Sequence, residues 1–346
     1  MKIGIVTIFN VPNYGAMLQC WSLCNAIKNL GHEPILIYIP VTPGEKTFSH
    51  KVRDILQYKF KQDFVKHNLP YTADLTTEVD AYLVGSDQVW NPNIVGSQLD
   101  QFLVNFALKD KPIASFASSF GLEKWPLPDK IESTRNYLSR FKIISVREKS
   151  GVDLLKNTFD LNAEEVLDPC FLTDDYSSLF SPDENPSDVV FFRLRPWKDM
   201  LYKEVEEEAN KRGLSFFNVS AHSFIPHLNR TIRGYNEKYY SVSTWLKKIS
   251  SAKYVITDSF HGLVFSLIFK RQFAVINSKP EAITRMESLL SKFGLQRRIV
   301  KNSEDAFNLI SNEHIDYDSI GPKLDMLKDK SRGKLKDIIG LFCKSK

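Results

Sequence analysis

The segment after Thr257 carries the residue types best suited to chemistry on an anion. It reads Asp258-Ser-Phe-His-Gly262 and lies between a short apolar stretch and a helical one. We expect Asp258 or Ser259 to cap the helix, whose free backbone N–H groups would face a ligand. His261 is placed to donate a proton at the mouth of a cleft. The competing interpretation is a capped turn with an incidental histidine.

Two arginines end the first apolar stretch of the second half of the chain, in Arg193-Leu-Arg-Pro-Trp197. Strand alternation puts Arg193 and Arg195 on one side, and the terminal position of Arg195 favours it as the residue facing the cleft. Guanidinium groups bind planar carboxylates and phosphates, so both are candidate ligands of an anion. The competing interpretation is a surface arginine on an edge strand.

Two polar loops of the N-terminal half are candidate sugar-binding segments. The first is Asn13-Tyr-Gly15, with Gln19 one helical turn further on, and it lacks the G-x-G-x-x-G pattern of dinucleotide-binding loops. The second, Gly85-Ser-Asp-Gln-Val-Trp90, joins polar groups to an aromatic ring, a mixture that suits hydroxyl-bearing ligands. Core packing is the more common fate of a tryptophan such as Trp90.

Other catalytic patterns are missing from the sequence. No G-x-S-x-G, Walker A or H-E-x-x-H motif occurs, and the four cysteines do not have the spacing of a zinc site. We therefore expect Cys20 and Cys24 to be buried free thiols, and we predict no metal and no cofactor. His222 and His227, with two arginines after them, lie in a polar loop that either reaches a phosphate or stays at the surface.

Short apolar stretches alternate with helical patterns along both halves, which predicts parallel βαβ units. A proline-rich acidic linker, 181–188, separates the two series. Ligands of such sheets bind beyond the carboxyl ends of the strands, where the segments above lie. We predict an α/β fold of two Rossmann-like domains with a cleft between them, at 1–180 and 189–300. C-terminal helices in 301–346 are expected to pack back on the first domain.

Composition fits a two-domain protein. The 346 residues suit two domains of about 150 residues, and no apolar run approaches the roughly 18 residues of a membrane span. The first residues lack a secretory signal pattern and cysteines are few, so we expect a reduced cytoplasmic enzyme.

The net charge of +5 lies in residues 320–346, which hold eight basic and three acidic residues, so it does not indicate nucleic-acid binding. This tail predicts a helix that either packs back on the first domain or touches anionic lipid.

Six segments together resemble the polysaccharide pyruvyl transferase family, and they occur in order over residues 1–280. They are Asn13-Tyr-Gly-Ala-Met-Leu-Gln19, Val84-Gly-Ser-Asp-Gln-Val-Trp90, Ser145-Val-Arg-Glu-Lys-Ser150, Val166-Leu-Asp-Pro169, Leu194-Arg-Pro-Trp197 and Asp258-Ser-Phe-His-Gly262. The resemblance implies a GT-B-like pair of domains. It also implies transfer of a pyruvyl group from phosphoenolpyruvate to two hydroxyls of a sugar in a capsule or exopolysaccharide precursor, forming a cyclic ketal without a metal.

The resemblance also implies roles for single residues. Arg195 resembles the family arginine that grips the donor anion, and His261 resembles the histidine beside the donor, the candidate general acid. Well-known members have arginine two positions before that histidine, where this chain has Ser259. The candidate replacements for that arginine are Arg193, Arg233, Lys270 and Arg271.

Donor and acceptor are expected on different domains. The candidate donor-binding residues are Arg193, Arg195, Ser259, Phe260, His261 and Gly262. Asp87 is the candidate base for the attacking sugar hydroxyl. The candidate acceptor-binding residues are Asn13, Tyr14, Gly15, Gln19, Ser86, Asp87 and Trp90. The sequence does not name the acceptor sugar, nor whether it is free, nucleotide-linked or lipid-linked.

Two other functions stay open at this point. A GT-B-type glycosyltransferase would use a nucleotide sugar, with Glu281 or Glu287 on the ribose. A non-catalytic sugar- or anion-binding homologue would account for Ser259 at the arginine position. If phosphoenolpyruvate stabilises the protein against thermal unfolding and a nucleotide sugar does not, the glycosyltransferase alternative is excluded. Release of phosphate from phosphoenolpyruvate in the presence of an acceptor would exclude a non-catalytic homologue.

Overall fold

The computed structural model of the protein describes residues 1–11, 13–41, 63–108, 110–193, 201–220, 222–223, 237–238, 240–277 and 283–345, with backbone alone at 222–223 and 237–238. Several residues selected from the sequence lie outside these ranges. They are Arg195 with the rest of 194–197, His227, Arg230, Arg233 and Glu281.

Strands alternate with helices in the first half. The strands are β1 (Lys2–Val6), β2 (Glu33–Ile37), β3 (Tyr71–Thr72), β4 (Ala81–Val84), β5 (Ile113–Ser115), β6 (Phe141–Ile143), β7 (Ser145–Val146) and β8 (Glu164–Glu165). The helices are α1 (Tyr14–Asn29), α2 (Pro92–Val95), α3 (Leu99–Phe102), α4 (Ile131–Leu138) and α5 (Lys149–Phe159), and residues 63–68 are also helical. Short 3-10 turns occur at Gly96–Gln98, Pro128–Lys130, Pro169–Leu172 and Ser177–Leu179.

The second half repeats the alternation. Its strands are β9 (Val189–Phe192), β10 (Phe216–Asn218), β11 (His222–Ser223), β12 (Glu237–Lys238), β13 (Tyr254–Thr257), β14 (Gln272–Ile276) and β15 (Ile299–Val300). Its helices are α6 (Leu201–Lys211), α7 (Val242–Ser251), α8 (Phe260–Ile268), α9 (Ile283–Ser291), α10 (Ser303–Asn312) and α11 (Tyr317–Lys344), with a 3-10 turn at Gln296–Arg298.

Two parallel sheets organise these elements. The first has the strand order β3-β2-β1-β4-β5-β6 and the second the order β10-β9-β13-β14-β15. Each neighbouring pair in both sheets is parallel. Every residue of β4 and β13 is buried, as expected for strands covered by helices on both faces. The predicted α/β fold of two Rossmann-like domains is confirmed, whereas the domain boundaries stay a prediction.

Aromatic side chains join the two sheets near the amino end of α1. The ring of Tyr14 stacks on Trp245 of α7, with centroids 5.1 Å apart and planes at 13°. Phe192, at the end of β9, packs edge-on against both rings. The hydroxyl of Tyr14 donates to the backbone oxygen of Tyr240 at 2.9 Å. These contacts bring the carboxyl ends of both sheets to one interface.

The C-terminal helix α11 lies against the first half of the chain. Its apolar stripe, including Leu335, Ile338 and Phe342, is buried. The backbone N–H of Leu167 donates to its Ser331 hydroxyl at 2.9 Å. The ion pairs along it are Arg332 with Asp174, Lys328 with Asp174 and Lys334 with Glu164. Among the described helices, none has the length and apolar content of a membrane span.

Candidate active site

The turn after β13 is a capped helix start, in which the end of the strand and the first turn of α8 pack closely together. The hydroxyl of Ser259 accepts from the backbone N–H of Gly262 at 3.4 Å, so Ser259 is the cap that α8 uses. The helix therefore begins at Phe260, as a cap at Ser259 requires, and His261 lies in its first turn. A methyl group at Gly262 would lie 2.3 Å from the Thr257 hydroxyl, which explains the glycine.

His261 crosses from the second domain into the first. Its side chain is 6 % exposed and packs on the backbone of Gly15, where a methyl group would lie 1.9 Å from the imidazole Cγ. Its Nε2 is 3.7 Å from Oδ2 of Asp168, too far for a hydrogen bond but within ion-pair range. That nitrogen has no hydrogen-bond partner among the described residues. Asp168 thus faces the ring from the opposite domain.

Arg147 is the centre of a buried charged cluster. Its Nη1 donates to Asp168 at 2.7 Å, its Nη2 to Asp87 at 3.4 Å, and its Nε lies 3.9 Å from Glu148. Backbone bridges from Asp87 to Ser118 and from Ser118 to Val146 place these groups side by side beyond the strand ends. Parallel topology therefore assembles a cluster from segments distant in sequence.

Asp168 stays ionised in this cluster. Burial by itself would raise the pKa of its carboxyl, but His261, Arg147 and the N–H of Cys170 outweigh that effect and hold the pKa below its usual range. Glu148 is held in place by three donors, the Ser119 hydroxyl and the backbone N–H groups of 120 and 121. The carboxylates are thus fixed before any ligand arrives.

Two guanidinium groups share the ring of Phe260. The Cζ of Arg147 lies 4.4 Å from the ring centroid, and the Cζ of Arg285, on α9, lies 5.6 Å from it. The ring of Phe260 is in turn 5.3 Å from that of His261, at 85°. Burial and, next, the charge of Arg147 lower the pKa of Arg285 to about 10. It remains a cation at neutral pH.

Sequence reasoning did not select Arg147, Asp168 or Arg285 as site residues. The first two lie in the segments 145–150 and 166–169, so a charged residue directly after a short apolar strand was an available signal. Arg285 has no comparable signal, because it lies within an amphipathic helix and reaches the site only through the packing of α9.

The predicted donor residues, with the candidate replacements for the family arginine, fall into four groups. Ser259, Phe260, His261 and Gly262 come together at the start of α8, as described. The Nε of Arg193 donates to Asp258 at 2.5 Å, and Arg193 is buried. Arg195 lies outside the described residues, as does Arg233. Lys270 and Arg271 follow the far end of α8, where Arg271 bonds backbone oxygens of 269 and 252.

The predicted acceptor residues of α1 are engaged within the fold. The side chain of Asn13 caps α1 by accepting from the N–H groups of Gly15 and Ala16. Gln19 donates to the Thr7 hydroxyl at 3.1 Å and accepts from the N–H of Ser86 at 3.3 Å. Their contact with an acceptor stays a prediction.

The residues after β4 are likewise used internally. The hydroxyl of Ser86 donates to the backbone oxygen of Ala117 at 2.7 Å. Trp90 is fully buried, and its indole N–H donates to the oxygen of Phe102, so the ring offers no surface to a sugar. Asp87, with φ of 66°, points its carboxylate at Arg147 and is the residue of this loop that reaches the charged cluster.

A polar cavity of about 700 Å³ lies between α5 and α9. Its lining is rich in hydroxyl, carboxylate and ammonium groups, contributed by Glu123, Lys149, Ser150, Asp153, Glu287 and Ser288 among others. The hydroxyl of Ser150 is buried and has no hydrogen-bond partner among the described residues. Two of its lining residues, Lys149 and Thr284, are the chain neighbours of Glu148 and Arg285.

One group of side chains has the composition of a metal site. Asp168, Cys170 and His261 place one ligand atom each within 4.8 Å of one another. Arg147 already donates to Asp168 at 2.7 Å, and its positive charge opposes a divalent cation there. Burial raises the pKa of the Cys170 thiol well above its usual value, which disfavours the thiolate that metals prefer. The donor set therefore does not favour a metal, and the predicted absence of one stays a prediction.

Comparison with known proteins supplies the family. The family model described as polysaccharide pyruvyl transferase matches residues 13–280. No curated protein matches the chain. The matched range includes α1, the charged cluster and the start of α8.

Solved structures of low identity share the fold. One is UDP-GlcNAc 2-epimerase from Neisseria meningitidis bound to UDP-GlcNAc, with 12% identity, a TM-score of 0.52 and 100% of both chains covered. The glycotransferase of kitacinnamycin has 10% identity and a TM-score of 0.50, with 99% of this chain and 98% of that chain covered. The spinosyn rhamnosyltransferase SpnG has 9% identity and a TM-score of 0.50, with 98% of this chain and 100% of that chain covered. These likenesses show the GT-B-like fold alone.

Proposed function

The chain belongs to the polysaccharide pyruvyl transferase family, and from this premise we propose that it transfers a pyruvyl group from phosphoenolpyruvate to two hydroxyls of a sugar. The observation that carries the proposal is the position of His261. It lies in the first turn of α8, faces the ionised Asp168, and neighbours a ring covered by two guanidinium groups. A proton donor next to cations suits an anionic enol ether.

The reaction divides between these groups. A proton from His261 goes to the methylene carbon of the donor, which becomes a methyl group, and the adjacent carbon becomes cationic. A sugar hydroxyl attacks that carbon and gives its proton to a base, for which we propose Asp87. The bond to the phosphate oxygen then breaks, phosphate leaves, and the second hydroxyl closes the ketal and releases its proton. Backbone N–H groups at the start of α8 and nearby cations stabilise the departing anion. No step in this scheme uses a metal.

We place the acceptor in the polar cavity between α5 and α9. Hydroxyl and carboxylate groups on its wall suit a ligand whose surface is mostly hydroxyl. The Ser150 hydroxyl, which has no hydrogen-bond partner among the described residues, could bond such a ligand. This location differs from the loop residues predicted from the sequence, whose side chains are engaged within the fold. Among the loop residues, Asp87 still reaches the charged cluster.

The test is phosphate release from phosphoenolpyruvate in the presence of sugar acceptors. Nucleotide-linked and lipid-linked glycan precursors of the host are supplied in turn, and the product is identified by mass spectrometry. We expect His261→Asn to lower turnover by about 100-fold or more, the usual loss when a general acid is removed. His67→Asn is the matched control, because His67 is exposed and distant in sequence from the cluster.

Two results would overturn the proposal. Stabilisation and turnover with a nucleotide sugar alone would indicate a glycosyltransferase. Binding of phosphoenolpyruvate without phosphate release, whatever the acceptor, would indicate a non-catalytic homologue.

For a lipid-linked acceptor we propose that α11 touches anionic lipid through its exposed lysines. Its apolar stripe is buried in the fold, so this contact would be electrostatic. Lys330 and Lys336 are exposed, whereas Lys334 is paired with Glu164. Replacing Lys330 and Lys336, two of the exposed lysines of α11, by glutamate should reduce co-sedimentation with phosphatidylglycerol vesicles. Unchanged co-sedimentation would remove the membrane contact from the proposal.

A further inference from the structure

Within the described residues, three arginines lie near the start of α8, and two of them are already paired. Arg147 lies within 4 Å of Asp168, Asp87 and Glu148. Arg193 donates to Asp258 at 2.5 Å. Their charges are therefore compensated by carboxylates of the protein itself.

Arg285 differs from both. Within the part of the chain that the structure describes, it makes no ion pair and no hydrogen bond, and its recorded contact is with the face of the Phe260 ring. Its side chain is partly buried at the junction of the two domains. Five N–H donors in a planar fork are thus held over the Phe260 ring with no acceptor among the described residues.

The electrostatic situation of Arg285 favours an anion. Burial and the nearby charge of Arg147 lower its pKa to about 10, which means that the charged form is destabilised in the protein as it stands. A carboxylate or phosphate placed against the fork would supply the missing acceptors and compensate the charge. Charge-assisted bidentate bonds of this kind are among the strongest in proteins.

The cations that follow α8 lie at its far end, away from His261. Lys270 and Arg271 follow its C-terminal end, and a helix of nine residues is about 13 Å long. Arg271 also donates to the backbone oxygens of Phe269 and Ala252. Ser259 carries no charge, and its hydroxyl is used as the helix cap.

We propose that Arg285 binds an oxyanion of the donor substrate, either its carboxylate or its phosphate. The proposal rests on the proposed function, because it names a residue that binds the donor of that reaction. It assigns the donor site to both α8 and α9, with His261 and Arg285 each in contact with the ring of Phe260. Arg147 then acts as a positioning residue that holds the carboxylates and the ring.

The experiment compares three variants. Arg285→Gln removes the charge, Arg285→Lys keeps the charge but loses the fork, and Arg297→Gln is the matched control. Arg297 is 64% exposed and pairs with Glu313, so its loss removes the same charge from the same domain. Calorimetry measures the Kd for inorganic phosphate, and steady-state kinetics measures KM and kcat with phosphoenolpyruvate.

We expect Arg285→Gln to raise the phosphate Kd and the phosphoenolpyruvate KM by about 10- to 100-fold, the usual range for losing a charge-assisted hydrogen bond. Arg285→Lys should lie between that variant and the wild type, because a point charge replaces a bidentate fork. Arg297→Gln should match the wild type. Removing the charge of Arg285 should also make the phosphate affinity less dependent on ionic strength.

The outcomes separate this inference from the proposed function. An unchanged phosphate Kd in Arg285→Gln, or no phosphate binding to the wild type, overturns the role of Arg285. If turnover with phosphoenolpyruvate persists with an unchanged KM, the proposed function stands and Arg285 has no part in it. Phosphate binding that depends on Arg285, without any turnover of phosphoenolpyruvate, keeps the anion site and overturns the proposed function.

Discussion

The turn after β4 and the turn after β13 look alike in the sequence and differ in the fold. Both follow a fully buried strand, and both combine polar residues with an aromatic ring. In the first turn, Ser86 and Trp90 bond to backbone within the first domain. In the second, the Nε2 of His261 has no hydrogen-bond partner among the described residues, although it faces a carboxylate.

This difference shows which polar groups are available for chemistry. A buried polar group that already has its partner stabilises the fold and gains little from a ligand. A buried group left without a partner is costly, and a ligand can recover that free energy. We therefore expect the second turn to bind a substrate, whereas most of the first turn, apart from Asp87, is used by the fold itself.

The largest expected effect concerns the framework. Arg147→Met removes the partner of two buried carboxylates and should lower the free energy of unfolding by about 3–5 kcal/mol, measured by urea denaturation. Arg212→Met is the control, since Arg212 pairs with Glu208 at the surface and should contribute less than about 1 kcal/mol. Equal losses in the two variants would mean that the cluster does not hold the framework together.

The second effect depends on pH. The pKa of Asp168 is lower in the folded protein than in the unfolded chain, where it is about 3.9. Its contribution to stability is therefore present above about pH 4 and is lost as the pH falls below that value towards the folded pKa. The stability difference between wild type and Asp168→Asn, from urea denaturation between pH 7 and pH 3, should shrink at the acidic end. A constant difference would contradict the ionised state of Asp168.

The third effect tests the contact between the two regions. Gly15→Ala places a methyl group 1.9 Å from the imidazole of His261, so the ring or α1 must move. We expect a loss of about 1–3 kcal/mol in unfolding free energy and a fall in turnover. Gly333→Ala has open space in α11 and should raise stability by about 0.5–1 kcal/mol. If both variants behave alike in thermal unfolding, His261 is not held against α1.

The smallest effect distinguishes two helix caps. Ser259→Ala and Ser241→Ala each remove a hydroxyl that accepts a backbone N–H at the start of a helix. Each should cost about 1 kcal/mol in unfolding free energy. Only Ser259→Ala should also raise the KM for phosphoenolpyruvate, because α8 positions His261. A rise in KM in both variants would attribute the effect to stability instead.

The alternation of apolar stretches with helical patterns was enough to predict two parallel sheets. The strand ends carried the information about the site, because parallel topology brings carboxyl ends together whatever loops intervene. Ser259 and His261 were selected in this way, and the structure places both at the start of α8. Trp90 was selected by the same rule, and its side chain packs in the core, since a polar loop at a strand end does not reveal which way each side chain points.

The sequence by itself determined the alternation, the family segments and the capped start of α8, because these depend on residues close together in the chain. Only the tertiary structure decided which charges are paired. Arg147 follows a short strand and Arg285 lies within a helix, but neither local pattern shows whether the charge is paired. One meets carboxylates from three strand ends, and the other reaches the same aromatic ring from α9 with no carboxylate partner in the described chain. That contrast arises from contacts between distant segments, which a linear pattern does not record.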